Sequence, residues 1–154
     1  RVFFIAMLTG CGAAPLCVTP CGLEFITLEP GWTCETAAAA EAQVLEAFAA
    51  VTDPRFKTAC SRFYGTEVIV ESAMFAADDS TFVWGLSRCN PNQIRVADKK
   101  LIGPATTLGH ELAHIAQNCD AEGDGHANWR VTGIYTALQM LWRSPKAPAR
   151  QLMR

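Results

Sequence analysis

The sequence predicts an α+β domain, and three observations carry that reading. From Glu35 to Ala50 the chain is rich in alanine and repeats Val44, Leu45, Phe48 and Val51 at helical spacing. After Gly65 come three strand-like runs, 67–71, 81–84 and 93–97, separated by the turn-forming clusters Asp78-Asp79-Ser80 and Asn90-Pro91-Asn92. Two more helical stretches close the chain, one from about Ala105 to Asn118 and one from His126 to Trp142. The expected architecture is a small antiparallel sheet with helices before and after it.

The helix at 35–50 is amphipathic and ends at Asp53-Pro54, where proline stops helical propagation. Its Glu41 and Glu46 are expected to be solvated. A shorter helical piece is expected over Arg55 to Tyr64, with Cys60 facing inward. Pro104 stands near the first position of the next helix, where a missing N–H costs nothing, and Leu108, Leu112 and Ile115 form its buried side. On the last helix Trp129, Thr132 or Gly133, Thr136 and Met140 are expected to share one side.

At 154 residues the chain is long enough for one domain with a sizeable core. Its formal charge of −2 and pI of about 5.9 argue against a nucleic-acid partner. Seven cysteines, at 11, 17, 21, 34, 60, 89 and 119, are scattered rather than paired as Cys-x-x-Cys, which suits disulfides in an oxidising compartment.

The odd cysteine has an explanation at the start. Arg1 precedes the apolar run Val2 to Leu8, the pattern of a secretory signal over 1–10, and no initiator Met is present, so the true start is expected upstream. Leu8-Thr9-Gly10-Cys11 resembles the lipobox of bacterial lipoproteins. That resemblance implies a lipidated Cys11 and a chain anchored to a bacterial membrane on its extracytoplasmic side, or secreted. Six cysteines then remain for three disulfides. Residues 11–33, rich in Gly, Pro and Thr, read as a tether and a stapled, irregular entry. Residues 34–143 are the expected catalytic domain, and 144–154 a basic, frayed tail.

The chemistry is concentrated in His110-Glu111-Leu112-Ala113-His114. On a helix, positions i and i+4 share a face, so His110 and His114 can grip one ion, while Glu111 is placed to hold a water beside it. A catalytic zinc takes three protein ligands and leaves a fourth position for water. His126, the one other histidine, can return to that face after the turn carrying Gly123 and Gly125. Asp120 is the alternative third ligand, six residues past His114, but Gln117 stands where the metzincin pattern uses glycine, and Cys119 beside it is expected in a disulfide. A late Glu is excluded, because none follows Glu122.

His110-Glu111-Leu112-Ala113-His114, a Gly-containing turn and Asp124-Gly125-His126 with an aromatic after it resemble the SprT-like zincin peptidases over about residues 104–135. Ala127 and Trp129 depart from the family's usual glycine and aromatic spacing, and its zinc ribbon has no counterpart. The resemblance implies a zincin-like fold with Zn2+ on His110, His114 and His126, Glu111 as general base, and a protein or peptide substrate held along a sheet edge. Tyr135 and Arg130 are the nearest candidates to stabilise an oxyanion, although a structural role is expected of each. The rival expectations are a noncatalytic zinc-binding surface protein on the same scaffold, or a zinc hydrolase of a non-peptide amide.

Overall fold

The computed structural model describes residues 14–28, 32–78, 80–97, 104–119, 126 and 128–143. The signal-like 1–10, Cys11, Asp120, the glycines at 123 and 125, and the basic tail 144–154 lie outside the described residues.

Helix α1 (Cys34–Phe48) starts at Thr33, whose hydroxyl accepts from the Thr36 amide while Thr36 reaches back to the Thr33 amide. This reciprocal pair satisfies donors that the first helical turn leaves free. A 3₁₀ turn (Pro54–Thr58), N-capped by Asp53, runs into the short α2 (Ala59–Phe63). These cover the piece expected at 55–64. Helix α3 (Pro104–Ala116) carries the histidine motif, and α4 (Ile134–Arg143) follows.

Seven strands are present among the described residues: β1 (Cys17–Val18), β2 (Glu24–Thr27), β3 (Glu67–Glu71), β4 (Phe75–Ala76), β5 (Phe82–Val83), β6 (Gly85–Cys89) and β7 (Asn92–Ala97). Five form one sheet in the order β1-β2-β3-β7-β6, while β4 and β5 pair separately. The α+β class is as expected, but the sheet is mixed rather than antiparallel. Both β2–β3 and β3–β7 are parallel, and only β1–β2 and β6–β7 are antiparallel. The cause is connectivity. A parallel neighbour needs a long crossover; α1 and α2 supply it between β2 and β3, and the β4–β5 pair with β6 supplies it between β3 and β7. The stretch 17–27, read as irregular, therefore adds two strands to the main sheet.

Alternation sorts the faces of the sheet. Val68, Val70, Ile94 and Val96 are buried. On the opposite face Gln93 Nε2 donates to Glu67 Oε2 at 2.9 Å, and Arg95 pairs with Glu71. The Arg95 guanidinium also lies 4.1 Å over the Phe75 ring, which fastens the β4–β5 pair to this polar side. The apolar core combines Leu23, Phe25, Val44, Phe48, Phe63 and Val68 with Leu108, Leu112 and Ile115 of α3, and Ile134 of α4. Helices α1, α3 and α4 meet at Gly109, where an added Cβ would stand 2.8 Å from Leu141 and 3.3 Å from Val44. Helix α3 can approach α1 and α4 this closely because position 109 has no side chain.

Several expectations need correction. Helix α4 begins at Ile134, not at His126, because Gly133 has φ +83°, outside the right-handed helical region. Its buried side is Ile134, Ala137, Leu138 and Leu141; Thr136 and Met140 are exposed. Glu41 is not solvated. Buried in the core, it accepts from the Thr19 hydroxyl and from the Cys21 amide at 3.1 Å, partners that replace lost water. Cys60 is exposed, yet bonded to buried Cys21.

Six cysteines pair as Cys17–Cys34, Cys21–Cys60 and Cys89–Cys119, with Cα separations of 5.4, 4.9 and 5.9 Å. They tie β1 to the start of α1, the β1–β2 turn to α2, and the end of β6 to the chain just beyond α3. Three such bonds suit an oxidising, extracytoplasmic compartment. Among the described residues, no helix is long and apolar enough to cross a membrane.

Candidate metal centre

Helix α3 brings His110 and His114 one turn apart, their ring centroids separated by 5.2 Å. The helix then stops abruptly. Asn118 and Cys119 take the left-handed conformation, and the Cys119 amide donates to the His114 carbonyl at 2.8 Å. The chain returns at His126, whose ring lies 5.1 Å from His110 and 4.9 Å from His114. One nitrogen from each of the three half-buried imidazoles falls within 4.8 Å of the other two. The structure thus brings together the three histidines singled out in the sequence.

These three residues could hold a metal ion. His126 Nε2 and His110 Nε2 stand 3.2 Å apart. Two ligands at about 2.05 Å in tetrahedral geometry are separated by about 3.3 Å, so this spacing matches a shared ion. Metal ligation requires neutral imidazole. Burial, and then repulsion from the other two imidazoles, holds the His110 pKa down at about 4. Burial followed by repulsion from His126 does the same to His114, also to about 4.

Glu111 is buried beside this cluster, only 6% exposed. Burial pushes its pKa up to about 7, against the lowering effect of a hydrogen bond with Ser87. Strand β6 supplies the wall. At Gly85 an ideal Cβ would come within 2.9 Å of Glu111 Cγ and Cδ, and closer still to Oε1, so the carboxyl occupies space that any side chain here would take. Gly85, Ser87 and Cys89 alternate along β6, and each engages α3 or its end: glycine by vacancy, serine by hydroxyl, cysteine by its bond to Cys119.

Trp129 forms the floor. Fully buried, its ring lies 4.9 Å from His110, 4.9 Å from His114 and 4.4 Å from His126. The indole N–H donates to Gln117 Oε1 at 2.8 Å, and Gln117 Nε2 donates to Asp53 Oδ2 at 3.3 Å and to Asn128 Oδ1 at 3.2 Å. Hydrogen bonds from Arg55 hold the Asp53 carboxyl below the usual carboxylate range, against the raising effect of burial. Tyr135 packs its ring on Trp129 at 5.6 Å, and Arg130 is exposed. The oxyanion role considered for Tyr135 and Arg130 rests on their proximity in sequence to His126.

Sequence reasoning had not placed Gly85, Ser87 or Gln117 in the site. For Gln117 a signal existed, since a large amide stands where the metzincin pattern turns on glycine. Comparison of the chain with protein-family models, with characterised proteins and with solved structures finds no match.

Proposed function

We propose that this protein is a zinc-dependent metallopeptidase, with His110, His114 and His126 as ligands and Glu111 as general base. The observation that carries the reading is the convergence of three imidazoles beside one buried carboxyl of raised pKa. A base matched to a neutral operating pH needs a pKa near 7, and desolvation is the ordinary way to give a carboxyl one. The resemblance of residues 104–135 to SprT-like zincins points the same way.

A zinc ion on the three imidazoles would supply Lewis acidity, bringing water into the neutral pKa range and polarising the scissile carbonyl. Glu111 accepts the proton of the attacking water on its carboxylate and delivers it to the leaving amine. Ser87 and the vacancy at Gly85 hold that carboxyl in place between β6 and α3. The Trp129 floor keeps bulk water from the buried side of the imidazoles. Among the described residues β6 is an edge strand of its sheet, a position that suits an extended peptide laid alongside it. The lipobox resemblance of Leu8-Thr9-Gly10-Cys11 supports a lipidated Cys11 that anchors the enzyme to a bacterial membrane, with its substrate outside the cytoplasm.

The test is Glu111→Gln assayed for zinc content and for hydrolysis of a casein-type substrate. Retained stoichiometric zinc with hydrolysis abolished is expected. Wild-type protein that binds zinc without hydrolysing peptides would instead favour a zinc-binding surface protein. Cys11→Ser should release the protein from the membrane fraction.

A further inference from the structure

His110 and His114 owe their relative position to α3, but His126 lies outside any helix and must be positioned by something else. We propose that Gln117 is the positioning residue of the metal centre, its carboxamide clamping the turn that carries His126 onto the end of α3. The inference rests on the metal-site reading above.

Trp129 and His126 form one local unit. The Trp129 amide donates to the His126 carbonyl at 3.0 Å, and the indole meets the His126 ring at 89° with centroids 4.4 Å apart. One carboxamide grips this unit twice. Gln117 Oε1 accepts from Trp129 Nε1, and Gln117 Nε2 donates to Asn128 Oδ1. The other end is anchored in α3, where the Gln117 amide donates to the Ala113 carbonyl at 3.1 Å, and Arg55 Nη1 donates to the Gln117 carbonyl at 3.2 Å.

The chemistry of the partners fixes which way the carboxamide points. Indole N–H can only donate and an ionised carboxylate can only accept. With Trp129 on one side and Asp53 on the other, a flipped amide would set oxygen against carboxylate and N–H against N–H. Gln117, Trp129 and Asp53 are 3%, 0% and 7% exposed, so water cannot replace a broken bond cheaply. Gln117 is not a ligand. Its effect on the metal passes through the position of His126.

The experiment uses the full chain with its disulfides intact, stripped of metal by a chelator. Zinc affinity is measured by competition with a chromophoric chelator, and the ligand field by the visible absorption of the Co2+ form. Gln117→Ala and Trp129→Phe are each expected to weaken zinc about tenfold or more, the range found for groups that orient metal ligands, and to shift the Co2+ bands. Placed in a His126→Ala background, neither should lower affinity by more than about a further twofold. Equal losses in both backgrounds, or unchanged affinity with only the melting temperature lowered, would show a core amide without influence on the third ligand and overturn the proposal. If Gln117→Ala does not fold, Trp129→Phe, which keeps a ring and removes the N–H, decides alone. A wild-type chain that binds no zinc would sink the metal-site reading itself, a failure distinct from one confined to the variants.

Discussion

Replacing Glu111 by glutamine should make the metal-free protein more stable, and increasingly so as pH rises. The carboxyl is buried, and its pKa goes from 4.5 to about 7 on folding. Because the folded value is the higher one, the folded chain keeps the proton in a window where the unfolded chain has released it. Burial therefore costs nothing below pH 4.5, and its cost grows until the folded carboxyl ionises near 7. At about 1.4 kcal/mol per pKa unit the full cost is about 3 kcal/mol, most of it developing between about pH 5 and pH 8. Glutamine has nearly the same shape and can keep a hydrogen bond with Ser87, but has no charge to desolvate. Urea unfolding followed by tryptophan fluorescence, with chelator present, measures the difference between variant and wild type across that range. Histidine protonation is common to both chains and cancels. The variant should gain about 2–3 kcal/mol over wild type between pH 5 and pH 8. Parallel profiles, with a constant difference, would refute the desolvated carboxyl and with it the physical basis for Glu111 as a base. The stability forgone is the expected accompaniment of a functional site.

Three further outcomes follow from the same geometry. The metal-free wild type should lose stability as pH falls from 6.5 through about 4, because unfolded histidines take up protons there while His110 and His114 resist; a His110→Ala, His114→Ala chain should show a flatter acid limb in the same unfolding assay. Gly85→Ala should displace the Glu111 carboxyl, lowering peptide hydrolysis at least tenfold with zinc stoichiometry unchanged; full activity would mean that Glu111 can work from another position. Gly109→Ala should destabilise the fold by about 1–3 kcal/mol through crowding of Leu141 and Val44, read as a lowered melting temperature.

The motif on α3 was legible because a four-residue spacing has one meaning on a helix, and the glycines at 123 and 125 made a return by His126 readable. Strand direction was not. Alternation in 67–71 and 93–97 states which face is buried, yet the parallel pairing of β3 with β7 depends on the route taken by the chain between them. The onset of α4 was hidden in the same way, since an apolar pattern runs through 129–142 while Gly133 adopts a positive φ. Glu41 looked solvated because a carboxylate within an Ala-rich helix normally is. Its burial depends on Thr19 and Cys21, far away in sequence and brought near by the fold. Nor could the Gln117–Trp129 bond be read, as neither residue has a pattern that names its partner.

Crystals grown with zinc and measured at the zinc absorption edge test the central claim most directly. A single anomalous peak is expected about 2.0–2.1 Å from one nitrogen each of His110, His114 and His126. A peak held by His110, His114 and Asp120, with His126 turned away, would contradict it, as would no peak at the cluster at all.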